Sequence, residues 1–552
     1  MKSIIIPVLL LAAINLFAVP PPPWFTEQAD EGSAALGSYE EAYAEARSRG
    51  VDAPNPIYGP GNPPFGPRGA MGGSDAGMNV LVLLVDFSDN AAQTPSVYFD
   101  SLAFATDSFS LRNYYGQVSF GQIDIVTVDY PSATGWQRAP ETYDYYVGDN
   151  YGWGYYPANS QGMVEDICEL VDPVVDFSQY DNDSDGYVDG VNVIYAGPFD
   201  GTPQTIWPHA WSLPGGGAEF DGVMVYSFSV QDEYNNNPGD KSANTLCHEF
   251  GHVMGLPDLY DYDYDSFGIG NWGMMSFGVY NGDGWSPAHF CAWSRIALGI
   301  AEPVNVTTPG WYDVPSVETS GTIYRLWTGG AAGSQYFLVE NRRPEGYDIA
   351  LPGHGLLIWH IDDSVNSNDN QWYPGYTSYG HFRVALEQAD GLWQLEQAQN
   401  YGNLNDPFPG SPSQNADTFN YWTVPDSRDY SFQDTFVEVS SIPESDDTVS
   451  VFFSVSQTGI DEGEGATAPT SLSMGNNPAY GSASFLLSHG GGPASLRVFD
   501  LSGRAVSTLA DGALPAGQHA FTWTPGDASP GVYFARYTAG EASEDVRFVL
   551  VR

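Results

Sequence analysis

Positive charge and cysteine are what this sequence has least of. Eighteen Lys and Arg stand against 68 Asp and Glu, a net charge of −50. A surface of that sign repels phosphate, which argues against nucleic acid or anionic lipid as a partner. Three cysteines, Cys168, Cys247 and Cys291, are too few for a disulfide framework, because at most one pair can form. Long apolar runs are also missing. The apolar stretch from Ile4 to Phe17 is too short to span a bilayer comfortably; with Lys2 before it and Ala18 after it, residues 1–18 read as a secretory signal. The expected location is therefore secreted or cell-surface, with no membrane span in the mature chain.

What is present is length, acid, and large rings. The 552 residues are enough for about three or four domains. The many aromatic, Gly and Pro residues favour short strands and irregular loops over helical bundles. Residues 19–72 read as a candidate propeptide, with a short Ala- and Glu-rich helix within Glu27 to Arg49 and an extended Pro/Gly linker from Pro54 to Pro67. That segment holds no cysteine, so a thiolate cannot silence a metal there. Asn79 to Phe87 then reads as a strand buried on both faces and opens a domain at 73–300. A short helix and turn are expected over Ser108 to Gly121, and a strand over Ile123 to Val128.

The most informative stretch is Asn244 to Tyr262, centred on His248-Glu249-Phe250-Gly251-His252. Histidines at i and i+4 lie on one helix face and can grip one metal ion, with Glu249 beside it as general base. Gly255 and Pro257 end the helix and turn the chain back. That return offers Asp258 as third ligand and leaves a fourth position open, as a catalytic zinc requires. Asp261 is the weaker substitute. Cys247, about 100° around the helix from His248, reads as core.

Calcium is the second expected metal. Asp181, Asp183, Asp185 and Asp189 alternate around Gly186, as the oxygen ligands of a calcium loop do. Position twelve is Asn192 in place of the usual Glu, and a strand follows where an EF-hand has a helix, so a structural loop is expected. Asp362, Asp363 and Asp369, with Asn405 and Asp406, form either a second calcium site or ordinary turns. In the Gly-rich segment Gly270 to Gly278, Met275 is the candidate for a methionine turn beneath the metal. Tyr280 is a candidate additional ligand or oxyanion donor, and a helix is expected from Ser286 to Leu298 with a structural His289.

Residues 301–456 alternate short β-rich runs with turns and read as a β-domain packed on the one before. Residues 457–471 read as an acidic, Gly-rich linker, and 472–552 as an immunoglobulin-like sandwich.

HEFGHVMGLPDLYD, with VLVLLVDFSD, RNYYGQVSFGQ, IWPHAW at Ile206 to Trp211 and the run from Tyr336 to Asp362, resembles the immune inhibitor A family of secreted bacterial metalloproteases. The resemblance implies a calcium-stabilised zinc endopeptidase of metzincin-like fold, with His248, His252 and Asp258 on zinc and Glu249 as base. The C-terminal region resembles the sorting domain of type IX secretion cargo through Asn477-Pro478, Val498 to Arg504 and Gly531-Val532-Tyr533, which implies secretion machinery as a partner. The expected whole is an α+β chain: a zinc protease domain with a twisted sheet and active-site helix, a β-rich domain, and a terminal sandwich. Its expected substrates are proteins or peptides, hydrolysed by a monomer. Two rivals remain open, an inactive calcium-stabilised adhesin and a zinc hydrolase of non-peptide amides.

Overall fold

Strand β1 (Leu81–Asp86) divides the first unit into two cores. Leu81, Leu83 and Val85 enter one, and Val82 and Leu84 enter the other with the neighbouring Val80; all are fully buried. Alternate residues of a strand point to opposite faces, so a strand buried on both reads as one continuous apolar run. The computed structural model describes residues 20, 22, 34–52, 77–410 and 416–456, and in the C-terminal part 471–474, 479–480, 482–501, 503–526, 528–540 and 542–551. The expected signal at 1–18 and residues 457–470 of the expected linker at 457–471 lie outside these.

Around β1 stand β2 (Trp136–Arg138), β3 (Val191–Pro198), β4 (His209–Ser212) and β5 (Ser227–Tyr234), in the order β2-β1-β3-β5-β4. Every neighbouring pair is parallel except β4 with β5, which makes β4 an antiparallel edge strand. One face carries helix α1 (Ala34–Ser48), through Tyr39, Tyr43 and Ala46, and α4 (Ser160–Val171), through Met163, Val164 and Ile167. The other carries α3 (Leu111–Val118) and α5 (Asn244–Val253), the latter through Leu246, Cys247, Phe250 and Val253. Helix α2 (Val97–Phe104) packs into the same core. Ser110 caps α3 by accepting from Asn113 N at 2.9 Å, which satisfies an otherwise orphaned helix-start donor.

Two sheets follow. A five-stranded one contains Gln335–Arg342 and Gly355–Asp362, and a four-stranded one contains Gly310–Pro315 and Thr448–Ser454. Leu338, Leu357, Trp359 and Ile361 lie in the same core as Leu246 and Phe250, so the five-stranded sheet and the α5 side of the first sheet are buried against each other. Met1–Asn420 and Ser427–Val455 form one compact unit; Tyr421–Asp426 and Ser456–Arg552 form a second.

In the second unit six strands join one hydrogen-bonded sheet around Phe485, Leu496, Trp523, Tyr537 and Phe548. Ala483–Asp500 is one continuous strand and Ala505–Trp523 its antiparallel partner. Gly490 to Pro493, residue types that favour turns, are carried inside the ladder, because pairing with the neighbouring strand overrides local preference.

Some boundaries differ from expectation. The helix expected from Ser286 is confined to α6 (Ala292–Ala297), since His289 N is committed to Asp348 Oδ1 at 2.8 Å and Met274 N to His289 O at 3.2 Å. The strand expected over Ile123 to Val128 is only Ile125–Val126. All three cysteines are buried free thiols. No helix among the described residues is long and apolar enough to cross a membrane.

Candidate metal centre

Helix α5 is pinned before its metal-binding groups are considered. Tyr115 on α3 donates to Cys247 O at 2.9 Å, and Phe250 packs edge-on to the Tyr115 ring. Beyond the helix, Gly255 has φ +90°, a left-handed conformation that a side chain resists, and Leu256 N donates back to Gly251 O at 2.9 Å. Leu259 N donates to Met275 O at 2.7 Å, which anchors the returning chain. The turn carries Asp258 to the two histidines.

The imidazole atoms of His248 and His252 and a carboxylate oxygen of Asp258 all lie within 4.8 Å of one another, and all three residues are buried. Asp258 Oδ1 is 3.0 Å from His248 Nε2 and 3.5 Å from His252 Nε2. Each ring is oriented from behind: His248 Nδ1 lies 2.8 Å from Met274 O, and His252 Nδ1 2.9 Å from Leu256 O. A carbonyl can only accept, so Nδ1 carries the proton in both rings and each Nε2 turns a lone pair to the centre. His248 Nε2 and both Asp258 oxygens have no hydrogen-bond partner. Two imidazole nitrogens and a carboxylate are a donor set that fits a catalytic zinc.

Glu249 is buried beside this group. Burial raises the Tyr280 phenol well above its usual pKa, with the charge of Glu249 as the next cause. Its hydroxyl donates to Pro20 O at 2.7 Å. Tyr280 also lines a cavity of about 680 Å³ with Pro22, Trp207 and Thr245, which has the buried Lys241–Asp232 ion pair at 2.5 Å in its wall and is lined by none of His248, Glu249, His252 and Asp258.

Met275 lies directly under α5: a Cβ on Gly251 would stand 2.7 Å from its sulfur. Asp261 does not join the histidines. It accepts from Ser266 Oγ at 2.6 Å and belongs to a separate trio with Asp263 and Asp265, where burial and the Asp263 charge raise its carboxyl to about 10. Asp181, Asp183 and Asp185 do converge within 4.8 Å, whereas Asp189 accepts from Asn182 N at 2.6 Å and Asn182 Nδ2 at 2.7 Å. Asp362 accepts from Ser364 and His381, and Asp406 from Trp272 Nε1 and Asn403 N; neither joins a cluster of three such ligands among the described residues.

Sequence reasoning missed Asp52, which is buried and hydrogen-bonded to Ala210, and the Lys241–Asp232 pair. Asp52 reaches the sheet across 158 positions of sequence, and no local pattern signals that contact. The 261–265 trio was detectable, since it repeats the alternate-acid spacing read at 181–185.

Residues 95–298 match the family described as immune inhibitor A peptidase M6, catalytic domain. The chain is 25% identical over 274 residues to the pre-pro-metalloprotease PrtV of Vibrio cholerae serotype O1 (strain M66-2), covering 40% of this chain and 29% of PrtV. It is 27% identical over 268 residues to immune inhibitor A of Bacillus thuringiensis subsp. alesti, covering 38% of each. The matched part thus spans well under half of either relative. These likenesses support a peptidase M6 metalloprotease domain in this chain, of the immune inhibitor A kind.

Proposed function

We propose that the chain is a zinc-dependent endopeptidase acting on proteins, with His248, His252 and Asp258 as metal ligands and Glu249 as general base. The observation that carries this is the pair of Nδ1–H groups held by Met274 O and Leu256 O, which leaves both Nε2 atoms facing Asp258. Zinc bound there supplies Lewis-acid polarisation and makes water at the open position easier to deprotonate at neutral pH.

The remaining work falls to the chain's own groups. Glu249 takes the proton from the attacking water on a carboxylate oxygen and returns it to the leaving amine nitrogen. Tyr280, whose hydroxyl donates to Pro20 O in this structure, turns that donor to the carbonyl oxygen of a bound substrate as negative charge develops there. Burial of all three ligands keeps the centre dry, which strengthens each of these interactions.

Three further assignments belong to the same reading. Asp181, Asp183 and Asp185 hold a structural calcium that fastens the start of β3, on the strength of their convergence. Residues 19–72 keep the protease latent, in keeping with the pre-pro form that the name of the PrtV relative records. The chain is secreted, with residues 472–552 addressing it to secretion machinery, as the C-terminal resemblance implies.

Casein zymography with and without chelator tests the central claim. Metal-dependent clearing by the wild type, lost in Glu249→Gln, is expected. Full clearing by Glu249→Gln, or clearing that survives chelation, would sink it.

A further inference from the structure

This inference rests on the metallopeptidase reading and names the kind of substrate side chain that the enzyme selects. Thr245 precedes His248 by three residues and Glu249 by four, so on α5 it shares their face, one turn or about 5 Å nearer the helix start. Its hydroxyl is buried and has no hydrogen-bond partner. A polar group left unpaired in a buried wall costs stability that a bound ligand restores. Thr245 and the adjoining Asn244 both line the cavity of about 680 Å³. That cavity therefore begins one helical turn from the metal-binding groups, within reach of a long side chain next to the bond being cut.

The rest of the lining divides by polarity. Pro198, Phe199, Trp207 and Pro208 supply an apolar side, with the Phe199 and Trp207 rings edge to face at 4.6 Å. Lys241 is the one basic residue among the described lining, and its ammonium is committed to Asp232 at 2.5 Å and Asn235 Oδ1 at 3.3 Å. Two further carboxylates of the lining, Asp200 and Asp283, are exposed and have no second cation there to pair with. Asp200 stands two residues beyond the end of β3. A Cβ on Gly284 would stand 2.8 Å from Asn244 Nδ2, which sets the adjoining Asp283 beside the start of α5. An apolar side, a neutralised ion pair and two uncompensated acids suit an amphipathic cation, whose methylene stem covers the rings while its head stays with the carboxylates.

We propose that this cavity is a specificity pocket that takes a basic side chain of the substrate, Arg or Lys, with Phe199 along the stem, Asp200 and Asp283 on the charged head, and the Thr245 hydroxyl bonded to the ligand. The rest of the acidic chain attracts any cation diffusely, and salt screens that attraction. The pocket's own contribution is the part that disappears with Asp200 and Asp283.

The test reads binding by the zinc-loaded full chain carrying Glu249→Gln, so that bound peptide stays intact. The cavity stands open with Pro22 in its wall, so the full chain can be titrated. The probes are labelled peptides with Arg, Leu or Glu at the centre of an otherwise all-alanine sequence, followed by fluorescence anisotropy at about 0.15 M salt. The Arg peptide is expected to bind about tenfold tighter than the Leu peptide, and the Glu peptide weakest of all. Adding Asp200→Asn and Asp283→Asn should remove that preference. Adding Asp107→Asn and Asp446→Asn, two exposed acids outside the cavity, should leave it unchanged. Thr245→Val should weaken all three peptides alike, and undiminished binding there would overturn the part given to its hydroxyl. Equal binding of the Arg and Leu peptides, no measurable binding of any, or an Arg preference that survives loss of Asp200 and Asp283 would overturn the pocket. Binding needs no turnover, so casein clearing by the wild type judges the peptidase reading separately.

Discussion

Gly251 and Met275 fit together only because one of them has no side chain. A Cβ at Gly251 would stand 2.7 Å from the Met275 sulfur and 3.3 Å from its methyl. The glycine lies between the two histidines, and the neighbouring Met274 carbonyl holds His248. Gly251→Ala must therefore displace the buried Met275 thioether or part its segment from α5, an overpacking cost of about 1–3 kcal/mol at most. The expected outcome is a lower Tm together with weaker zinc retention, read by calorimetry and metal analysis on one sample. A fall in Tm with undisturbed zinc would mean that the Met275 contact supports the fold without tuning the ligands.

Glu249 and Asp258 separate catalysis from metal binding. Glu249→Gln should bind zinc normally and lose about 10²–10⁴ in kcat. Asp258→Ala should lose zinc first, because it leaves two neutral imidazoles where three ligands stood. Metal content measured beside activity decides, and stoichiometric zinc in Asp258→Ala would move the third ligand elsewhere.

Tyr280→Phe should keep the metal, since its hydroxyl reaches Pro20 O and not the ligand group. If it donates to the reacting carbonyl, kcat falls about 10²-fold or more with KM little changed. A rise in KM at constant kcat would make it a substrate-positioning residue only.

Stability should also depend on pH through Glu396. The residue is buried and accepts from Gln388 Nε2 at 2.6 Å, and desolvation raises its pKa from 4.5 to about 8. The folded protein therefore holds this proton over a range where the unfolded chain releases it. The contribution is complete below the unfolded value and is lost as pH rises toward 8. Glu396→Gln should flatten that part of the Tm profile between pH 5 and 9; an unchanged slope would assign it to other groups.

Much of the site was legible because its chemistry is local. His248, Glu249 and His252 lie within one turn and a half of helix, and Gly255 with Pro257 announces the turn that carries Asp258 to them. The β1 strand was legible for a similar reason, since burial on both faces leaves an unbroken apolar run. The C-terminal strands were less so. Glycines and prolines, residue types that favour turns, sit inside a ladder between Ala483–Asp500 and Ala505–Trp523, and only the partner strand makes that placement stable.

The sequence by itself determined the helix that carries the His248–His252 pair, the turn after it and the alternating acids at 181–185, all of which depend on spacing along the chain, and the scarcity of positive charge, which is composition. Tertiary structure alone decided that Met274 O and Leu256 O orient the imidazoles and that Asp52 is bonded to Ala210. These are meetings of groups whose partners lie up to 158 residues apart. They arise when sheet and helices bury their apolar faces together, and a pattern read along one segment carries no record of what the opposite face will meet.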